Sequence, residues 1–580
     1  MNNVTITIDG IQVTVPENYT VLEAAREAHI NIPTLCYLKD VQQIGACRLC
    51  LVEIKGARAY QAACVAPISD GMEIYTNTEN LRKARKTNLE LLLSNHNREC
   101  TSCVRSGNCE LAALCKEYGV SDYPYDGEKI ESVYDNLSPS IVRDNSKCIS
   151  CRRCVSACNV IQKIGAIGVS KRGIKTSIGA AFDRSMVDSP CVYCGQCILS
   201  CPVGALKEKD NTADVWAALN DPDKYVVVQP APAVRATLGE EFGIPMGTSV
   251  TGKMVSALRR LGFDKVFDTD FSADLTIMEE GTELIDRIKN GGVLPMITSC
   301  SPGWIKYCET FFPEFIPNLS SCKSPHEMEG ALIKSYFAER EGIDPSKIYV
   351  VSVMPCTAKK FEAARPELSR EGMQDVDTVI TVRELARMIK EASIDFVRLP
   401  DAEFDSLLGE STGASVIFGA TGGVMEAALR TVYEVVTGKE LADVNFEVVR
   451  GTDGIKEAEV DLNGKIVRVA VAHGTGNAKT LLESVKSGEK QYDFIEVMGC
   501  PGGCVSGGGT PIVNATDRSY VDVKSVRAKA LYDEDAGKAK RKSHENEEIK
   551  KLYADYLGEI GGHKAHELLH THYVARKKYN

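Results

Sequence analysis

No stretch of this 580-residue chain is long and apolar enough to cross a bilayer. Its first residues, MNNVTITIDG, lack the basic and apolar regions of a signal peptide. Both absences point to a cytoplasmic protein with no membrane partner. An excess of basic residues is missing too: the net charge is -11, which argues against a nucleic-acid partner and accommodates a redox protein more easily. A nicotinamide or flavin signature is absent as well. GTGNAK at 474–479 lacks the strand–turn–helix glycine pattern, so direct use of NADH is not expected. What remains is a chain 44% hydrophobic and 25% charged, ordinary for a globular protein, and too long for one core. Three or more domains are expected.

Cysteine is what the sequence has in plenty. There are 22, most of them within the first 201 residues at tight spacings. A cytoplasmic location disfavours disulfides. Recurring two-residue gaps are metal-ligand spacing, because two thiolates so placed share one iron without straining the backbone. Residues 4–15 alternate around Asp9-Gly10 as a β-hairpin, and a helical run follows at Val21–Ala28. Cys36, Cys47, Cys50 and Cys64 then give one wide gap, one two-residue gap and a distant fourth cysteine. That pattern suits a two-iron cluster in a loop beside a sheet, and resembles a plant-type [2Fe–2S] ferredoxin with a widened first gap. In NHNRECTSCVRSGNCE, His96, Cys100, Cys103 and Cys109 suit either zinc or a [4Fe–4S] cluster. Their place between two electron-transfer modules favours iron, and an imidazole ligand raises a cluster's potential.

CISCRRCVSAC and CVYCGQCILSCP both read C-x2-C-x2-C-x3-C, the run of two-cluster bacterial ferredoxins, whose fourth cysteine ligates the other cluster. Cys148, Cys151 and Cys154 should therefore take Cys201, while Cys191, Cys194 and Cys197 take Cys158. The expectation is one [2Fe–2S] and three accessory [4Fe–4S] clusters on fifteen cysteines plus His96. After residue 212, glycine-rich turns, helices and short buried strands alternate through KYVVVQPAP, a helix at Lys253–Leu261, GGVLPMITSC, KIYVVSVMPC, ASVIFGATGG, KIVRVAVAHG and YDFIEVMGC. The overall expectation is a multidomain α+β and α/β protein. Ferredoxin-like modules at 1–79, 80–125 and 126–211 precede an α/β catalytic domain at 212–515 and a helical, charged tail at 516–580. Three strands run into cysteine, at Cys300, Cys356 and Cys500 with Cys504 close behind. Ligands gather at the carboxyl ends of such strands, so these cysteines can meet at one point.

TSCSPGW (298–304), MPCTAKKFE (354–362) and EVMGCPGGCVSGGG (496–509) look like the three signature segments of the [FeFe]-hydrogenases. The tail, RKSHENEEIKKLYADYLGE, resembles the family's small-subunit segment fused to the large one, and the resemblance covers the whole chain. It implies a monomer of the larger clostridial type that reversibly oxidises hydrogen and reduces protons with ferredoxin or a similar small redox protein. The implied H-cluster is a [4Fe–4S] cubane joined to a two-iron unit with carbonyl, cyanide and a bridging amine dithiolate, installed by maturation proteins. By motif position, Cys356, Cys500 and Cys504 ligate the cubane, and Cys504 bridges to the two-iron unit. Lys359 would hydrogen-bond a cyanide, since a cation stabilises an anionic ligand in a dry site. Met354 and Met498 would pack against the unit as soft filler. Ser324, Pro325 and FGATGG would line the same pocket. The implied proton relay is Arg287, Glu283, Ser320, Glu280 and Cys300. Glu280 and Glu283 stand three apart, on one face of a helix, and can pass protons if burial lifts their pKa values.

One departure matters. The family segment carries two adjacent cysteines, the first in the relay and the second on the cubane; here the pair is Cys300-Ser301. Adjacent side chains point in different directions. Either Ser301 ligates as an alkoxide, or Cys300 ligates after a local shift, or the cubane is impaired. Ala233 and His326 stand where serine and glutamine are expected. Cys115, Cys308 and Cys322 are left over for packing. His563, His566, His570 and His572 are expected on a solvated helix face. Two other readings compete: a slow, sensory or biased relative, motivated by Ser301, and a non-catalytic electron-wiring subunit resembling that of complex I. MPCTAKKFE and MGCPGGC argue against the latter.

Overall fold

The computed structural model describes residues 2–579 except 126, 128, 130, 131, 371 and 463, so the expected domain start at 126 lies outside the described residues. Alternation in the first sixteen residues produces the hairpin: strand Asn3–Ile8 pairs antiparallel with Ile11–Pro16 across Asp9 and Gly10, both at positive φ. The helix Val21–Glu27 starts on a capping box between Thr20 and Glu23. Strands Leu51–Ile54, Gln61–Ala62 and Glu73–Tyr75 complete a five-stranded sheet. Its core holds Ile8, Leu22, Val52 and Ile74 together with Cys50 and Cys64. Helix Glu79–Asn95 follows and ends at His96.

The double cysteine run folds as two matching halves. Each half passes through two left-handed residues, Ser150 and Arg152 or Tyr193 and Gly195, into a short helix at Arg153–Ser156 or Gln196–Ser200. Strands Ile141–Asp144, Leu206–Glu208 and Tyr134–Asp135 form a small sheet against them.

Beyond it stand two four-stranded sheets. In the first, Tyr225–Pro230 pairs with Lys265–Val266 and Ile348–Met354, and the latter with Thr378–Thr381, all parallel. In the second, Phe494–Met498 lies parallel between Met296–Ile297 and Lys465–His473, with Ile455–Leu462 antiparallel at the edge. Parallel strands covered on both faces read as continuous apolar runs, as YVVVQP and FIEVM do. Helix Thr269–Asn290 wedges between the sheets: Phe271 and Leu275 enter the first core, Ala273, Ile277 and Leu284 the second. Of the segments expected to alternate, ASVIFGATGG contains no strand. It forms helix Gly413–Val416 and a 3-10 turn at Ile417–Gly419, because an unbroken apolar run is equally suited to a buried helix.

The tail is helical, with segments at Val523–Gly537, Glu547–Leu552 and His563–Leu569. Ile549, Leu552, Leu568 and Leu569 are buried in the core of the first sheet, so the tail is part of the catalytic body. His563, His566 and His572 are exposed as expected, but His570 is not. It caps the last helix in extended conformation, leaves the helical face and turns inward to bridge Cys322. Among the described residues no helix is long and apolar enough to cross a membrane.

Candidate metal centres and active site

The accessory cysteines come together in the expected sets. Cys36 meets the sulfurs of Cys47 and Cys64, Cys64 also meets Cys50, and the Cys47 N–H donates to Cys36 Sγ at 3.4 Å. Cys148, Cys151, Cys154 and Cys201 line one small cavity. Cys191, Cys194 and Cys197 each lie in the field of Cys158. Burial pushes Cys191 up to about 12 and Cys194 to about 11, so a thiolate at either position calls for a cation. His96 presents a buried Nδ1 with no hydrogen-bond partner, and burial, then Lys147, lowers its pKa. Cys103 and Cys109 are neighbours, and Cys115 feels both Cys109 and Cys100. A buried ring nitrogen without a partner, in the segment that carries these three cysteines, fits a metal ligand. Cys115 and Cys308 are buried among apolar side chains, as leftover cysteines should be.

The pocket is built where strands of both sheets end. Met354 and Cys356 arrive from the first sheet; Cys300, Ser301, Met498 and Cys504 arrive from the second; Pro325, Phe418 and Gly419 close it. Cys356 and Cys500 touch sulfur to sulfur, which brings Cys356 down to about 7, while burial pushes Cys504 up to about 12. Ser301 Oγ accepts the N–H of Gly499 at 3.0 Å and so stands beside Cys500. Cys300 turns the other way. Burial first, then Glu280 and Cys504, raise its thiol well above its ordinary value. Ser301 thus stands near Cys500, and Cys300 near Glu280 and Cys504. Ala233 is buried one layer back, packed with Cys504 and Leu531.

Lys359 reaches the pocket and donates to Ser324 Oγ at 2.8 Å, Cys300 O at 3.2 Å and Glu362 Oε2 at 2.6 Å. His326 joins the same carboxylate, 2.7 Å from Nε2, with Ser352 Oγ 3.1 Å from Nδ1. Burial opposes ionisation of Glu362, but Lys359 and His326 hold it down to about 2. The sequence reading named Lys359 and His326 and missed Glu362. The available signal was its position three residues after Lys359, one helical turn on.

On the far side of Cys300 lies the carboxylate pair. Glu280 is 2% exposed, neither of its oxygens has a hydrogen-bond partner, and burial and Glu283 raise it to about 8. Glu283 accepts from Ser320 Oγ at 2.9 Å and from Arg287 Nη2 at 2.6 Å, with its side chain 16% exposed. A proton held on a neutral buried carboxyl beside a partly exposed carboxylate is a relay geometry. Three residues beyond it were not foreseen. Ser321 Oγ lies 2.8 Å from His570 Nδ1, and His570 Nε2 lies 3.0 Å from Glu279 Oε2.

The second half of the double cysteine module docks directly on the pocket loops. Gln162 Nε2 donates to Gly499 O at 2.8 Å, and its Oε1 accepts from Thr475 N at 3.1 Å. Gln196 Nε2 donates to Ser506 O at 2.9 Å and Thr357 Oγ1 to Tyr193 O at 2.6 Å. At Gly195, at φ 69, a Cβ would stand 2.8 Å from Gly508 Cα, so only glycine allows this approach. Cys194 consequently lies in the field of both Cys356 and Cys500.

Family models match along the chain. Residues 224–508 match the iron only hydrogenase large subunit, C-terminal domain, and 521–576 the iron hydrogenase small subunit. Residues 1–79 match a 2Fe-2S iron-sulfur cluster binding domain and 85–123 the NADH-ubiquinone oxidoreductase-G iron-sulfur binding region. Residues 147–205 match a 4Fe-4S dicluster domain. The chain is 49% identical to the HndD subunit of an NADP-reducing hydrogenase from Solidesulfovibrio fructosivorans, over 100% of both chains. It is 46% identical to iron hydrogenase 1 of Clostridium pasteurianum, over 98% of this chain and 99% of that one. An apo [FeFe]-hydrogenase structure from Chlamydomonas reinhardtii superposes with a TM-score of 0.57 at 45% identity, covering 64% of this chain and 100% of that one.

Proposed function

This chain belongs to the iron-only, or [FeFe], hydrogenase family, and on that premise we propose how its own residues divide hydrogen oxidation and proton reduction among them. It is an enzyme, acting at an H-cluster served by iron–sulfur modules. Neither the sensory nor the non-catalytic reading is favoured by these relatives. The modules divide at 1–79, 80–125, 126–211, 212–515 and 516–580. Cys36, Cys47, Cys50 and Cys64 would hold one [2Fe–2S] cluster. His96 with Cys100, Cys103 and Cys109, and the two crossed cysteine sets, would hold three [4Fe–4S] clusters. Cys356, Cys500 and Cys504 would hold the cubane, Ser301 at the fourth position and Cys504 at the bridge. The bound two-iron unit supplies the heterolytic chemistry of hydrogen.

The chain's own contributions follow from the contacts above. Lys359 offers an ammonium donor to an anionic ligand in the pocket, and Glu362 and Ser324 fix its direction. Met354, Met498 and Pro325 keep water out. Glu280 holds a proton on its buried carboxyl, Ser320 and Glu283 exchange it with the outside, and Arg287 orients Glu283. Cys300 carries the inner thiol. The docking of Cys194 against the pocket loops supports electron entry through the second half of the double module. Electrons come from ferredoxin or a similar small redox protein, maturation proteins install the two-iron unit, and the enzyme works as a cytoplasmic monomer.

The observation that carries this reading is the convergence of three cysteine-bearing loops on one buried pocket with the Glu280–Glu283 pair behind Cys300. Infrared spectroscopy of the matured protein tests it. Carbonyl and cyanide bands are expected in the parent and absent in Cys504→Ala; a matured parent without them overturns the assignment.

A further inference from the structure

Beside the relay lies a cluster that hydrogen chemistry does not use. Glu283 Oε2, Cys322 Sγ and one ring nitrogen of His570 all lie within 4.8 Å of one another, and Sγ stands 4.0 Å from Oε2. Tetrahedral zinc with bonds of about 2.0–2.3 Å spaces its ligand atoms roughly 3.3–3.8 Å apart, so only a small contraction separates the cluster from a ligand set. We propose that Glu283, Cys322 and His570 form a site for a thiophilic divalent cation such as zinc, and that its occupancy closes the proton relay. The second half of this proposal rests on the relay reading of Glu283.

The surroundings are those of a built metal site. His570 Nε2 faces Glu279 Oε2 at 3.0 Å, and Glu279 is itself held by the Tyr553 hydroxyl and by Gly561 N at 3.0 Å. A carboxylate behind a histidine sets the tautomer that leaves the other nitrogen free to ligate. That nitrogen, Nδ1, points at Ser321 Oγ, which lies 3.3 Å from Glu283 Oε2 in the middle of the cluster. The hydroxyl can remain as fourth ligand or yield its place to water. Arg287 holds Oε1 of Glu283, while Oε2 accepts Ser320 Oγ at 2.9 Å, Ser321 N at 3.1 Å and Ser321 Oγ at 3.3 Å, and the two rotatable hydroxyls give up Oε2 when a cation takes it. On binding, Cys322 loses its proton to solvent, and one thiolate plus one carboxylate neutralise the dication. Entry is from the Glu283 side, 16% exposed, while Cys322 lies fully buried beneath. His326, Glu327 and Glu362 form a second cluster of similar reach, but the Lys359 ammonium sits 2.6 Å from Glu362 and excludes a second cation.

A Glu283 carboxylate bound to a metal can neither hold nor pass a proton. The test uses matured holoenzyme and zinc salt alone. X-ray absorption at the zinc edge, where iron does not interfere, should show one sulfur at about 2.3 Å among nitrogen and oxygen ligands at about 2.0 Å. Hydrogen evolution should fall roughly tenfold or more and return on chelation. Cys322→Ala and His570→Gln should keep activity without zinc, and the half-inhibitory zinc concentration should rise by roughly tenfold or more in each. Cys322→Ala should also lose the sulfur shell. A zinc shell without sulfur, or variants as zinc-sensitive as the parent, would overturn the site. Zinc bound with that shell but without inhibition would uphold the site and overturn the relay role of Glu283.

Discussion

The accessory modules and the catalytic pocket gather buried thiols by opposite means. Cys148, Cys151 and Cys154 come from one stretch of seven residues, turned by left-handed backbone at Ser150 and Arg152 so that they face one another. Cys300, Cys356 and Cys500 come from three loops on two sheets. A local set is held by its own turn and tolerates changes elsewhere. A long-range set depends on every element that brings it together, and can have its electrostatics arranged side chain by side chain. The pocket accordingly has a cation, Lys359, on one wall and a neutral carboxyl, Glu280, beyond the other.

The sharpest way to break this contrast is Cys504→Ala. Hydrogen activity should vanish while the visible absorption of the accessory iron–sulfur modules persists, because the proposed bridging thiolate is removed and no turn of the accessory modules is disturbed. Loss of accessory iron in that variant would mean that the two regions are not independent.

Glu280→Gln separates them next. An amide cannot release a proton, so hydrogen evolution should fall by about 10²–10⁴-fold with dye reduction of the accessory modules unchanged. The same substitution has a stability signature. The folded-state pKa of Glu280, about 8, lies above the ordinary 4.5. Its contribution to stability is therefore fully present below the unfolded value and is lost as pH rises through about 8. Glutamine does not titrate, so the variant should gain on the parent across that window, by on the order of a few kcal/mol at alkaline pH. Denaturant melts at pH 5 and pH 9 check the sign; a pH-independent difference would mean that Glu280 is ionised in the native state.

What was legible in the sequence follows the same division. The crossed cysteine sets were readable because their spacing is that of the two-cluster bacterial ferredoxin run, whose fourth cysteine ligates the other cluster. The proposed relay could be named only through family resemblance, since two glutamates three apart in a helix say nothing of what covers them. Strand ends announced that Cys300, Cys356 and Cys500 could meet, but strand sequences do not reveal sheet membership, and the pocket lies between two sheets. His570 was misplaced because helical periodicity holds only while the helix lasts, and His570 is the residue at which it stops. ASVIFGATGG was misplaced because its apolar run has no period to read.

The junction between the regions offers a smaller effect. Gln162 ties the double module to Gly499 and Thr475 from a fully buried position. Gln162→Ala leaves buried partners unsatisfied, which costs about 1–3 kcal/mol. Stopped-flow reduction should show accessory modules filling at the parent rate and hydrogen evolution slowed severalfold. Equal slowing of both would place the defect in the module itself.

The finest distinction concerns Ser301, where the two designs meet in one residue. Each crossed cysteine set has four thiols, three from its own turns and one from the other half. The ligand set proposed for the pocket has three, Cys356, Cys500 and Cys504, and a hydroxyl that accepts the Gly499 N–H at 3.0 Å beside Cys500. Cys300 lines the same pocket and lies in the field of both Glu280 and Cys504; in the proposed reading it serves the relay, and moving it onto the cluster would empty the relay's inner end. As an alkoxide, Ser301 would be a harder donor than thiolate and would favour oxidised iron; as a protonated hydroxyl, it would leave the iron one protein ligand short. Ser301→Cys should therefore raise the potential of the pocket's cluster in the first case and its iron content in the second. In both, hydrogen evolution from a reduced dye, compared at equal two-iron occupancy, should rise severalfold. The added sulfur is larger than the oxygen it replaces, and Gly499, where a Cβ would meet Ser301 Oγ at 3.0 Å, leaves it little room. The gain is for that reason the smallest of the effects expected here. A parent as fast as its Ser301→Cys variant, with the same potential and the same iron content, would show that a long-range site can replace one thiol of four without loss.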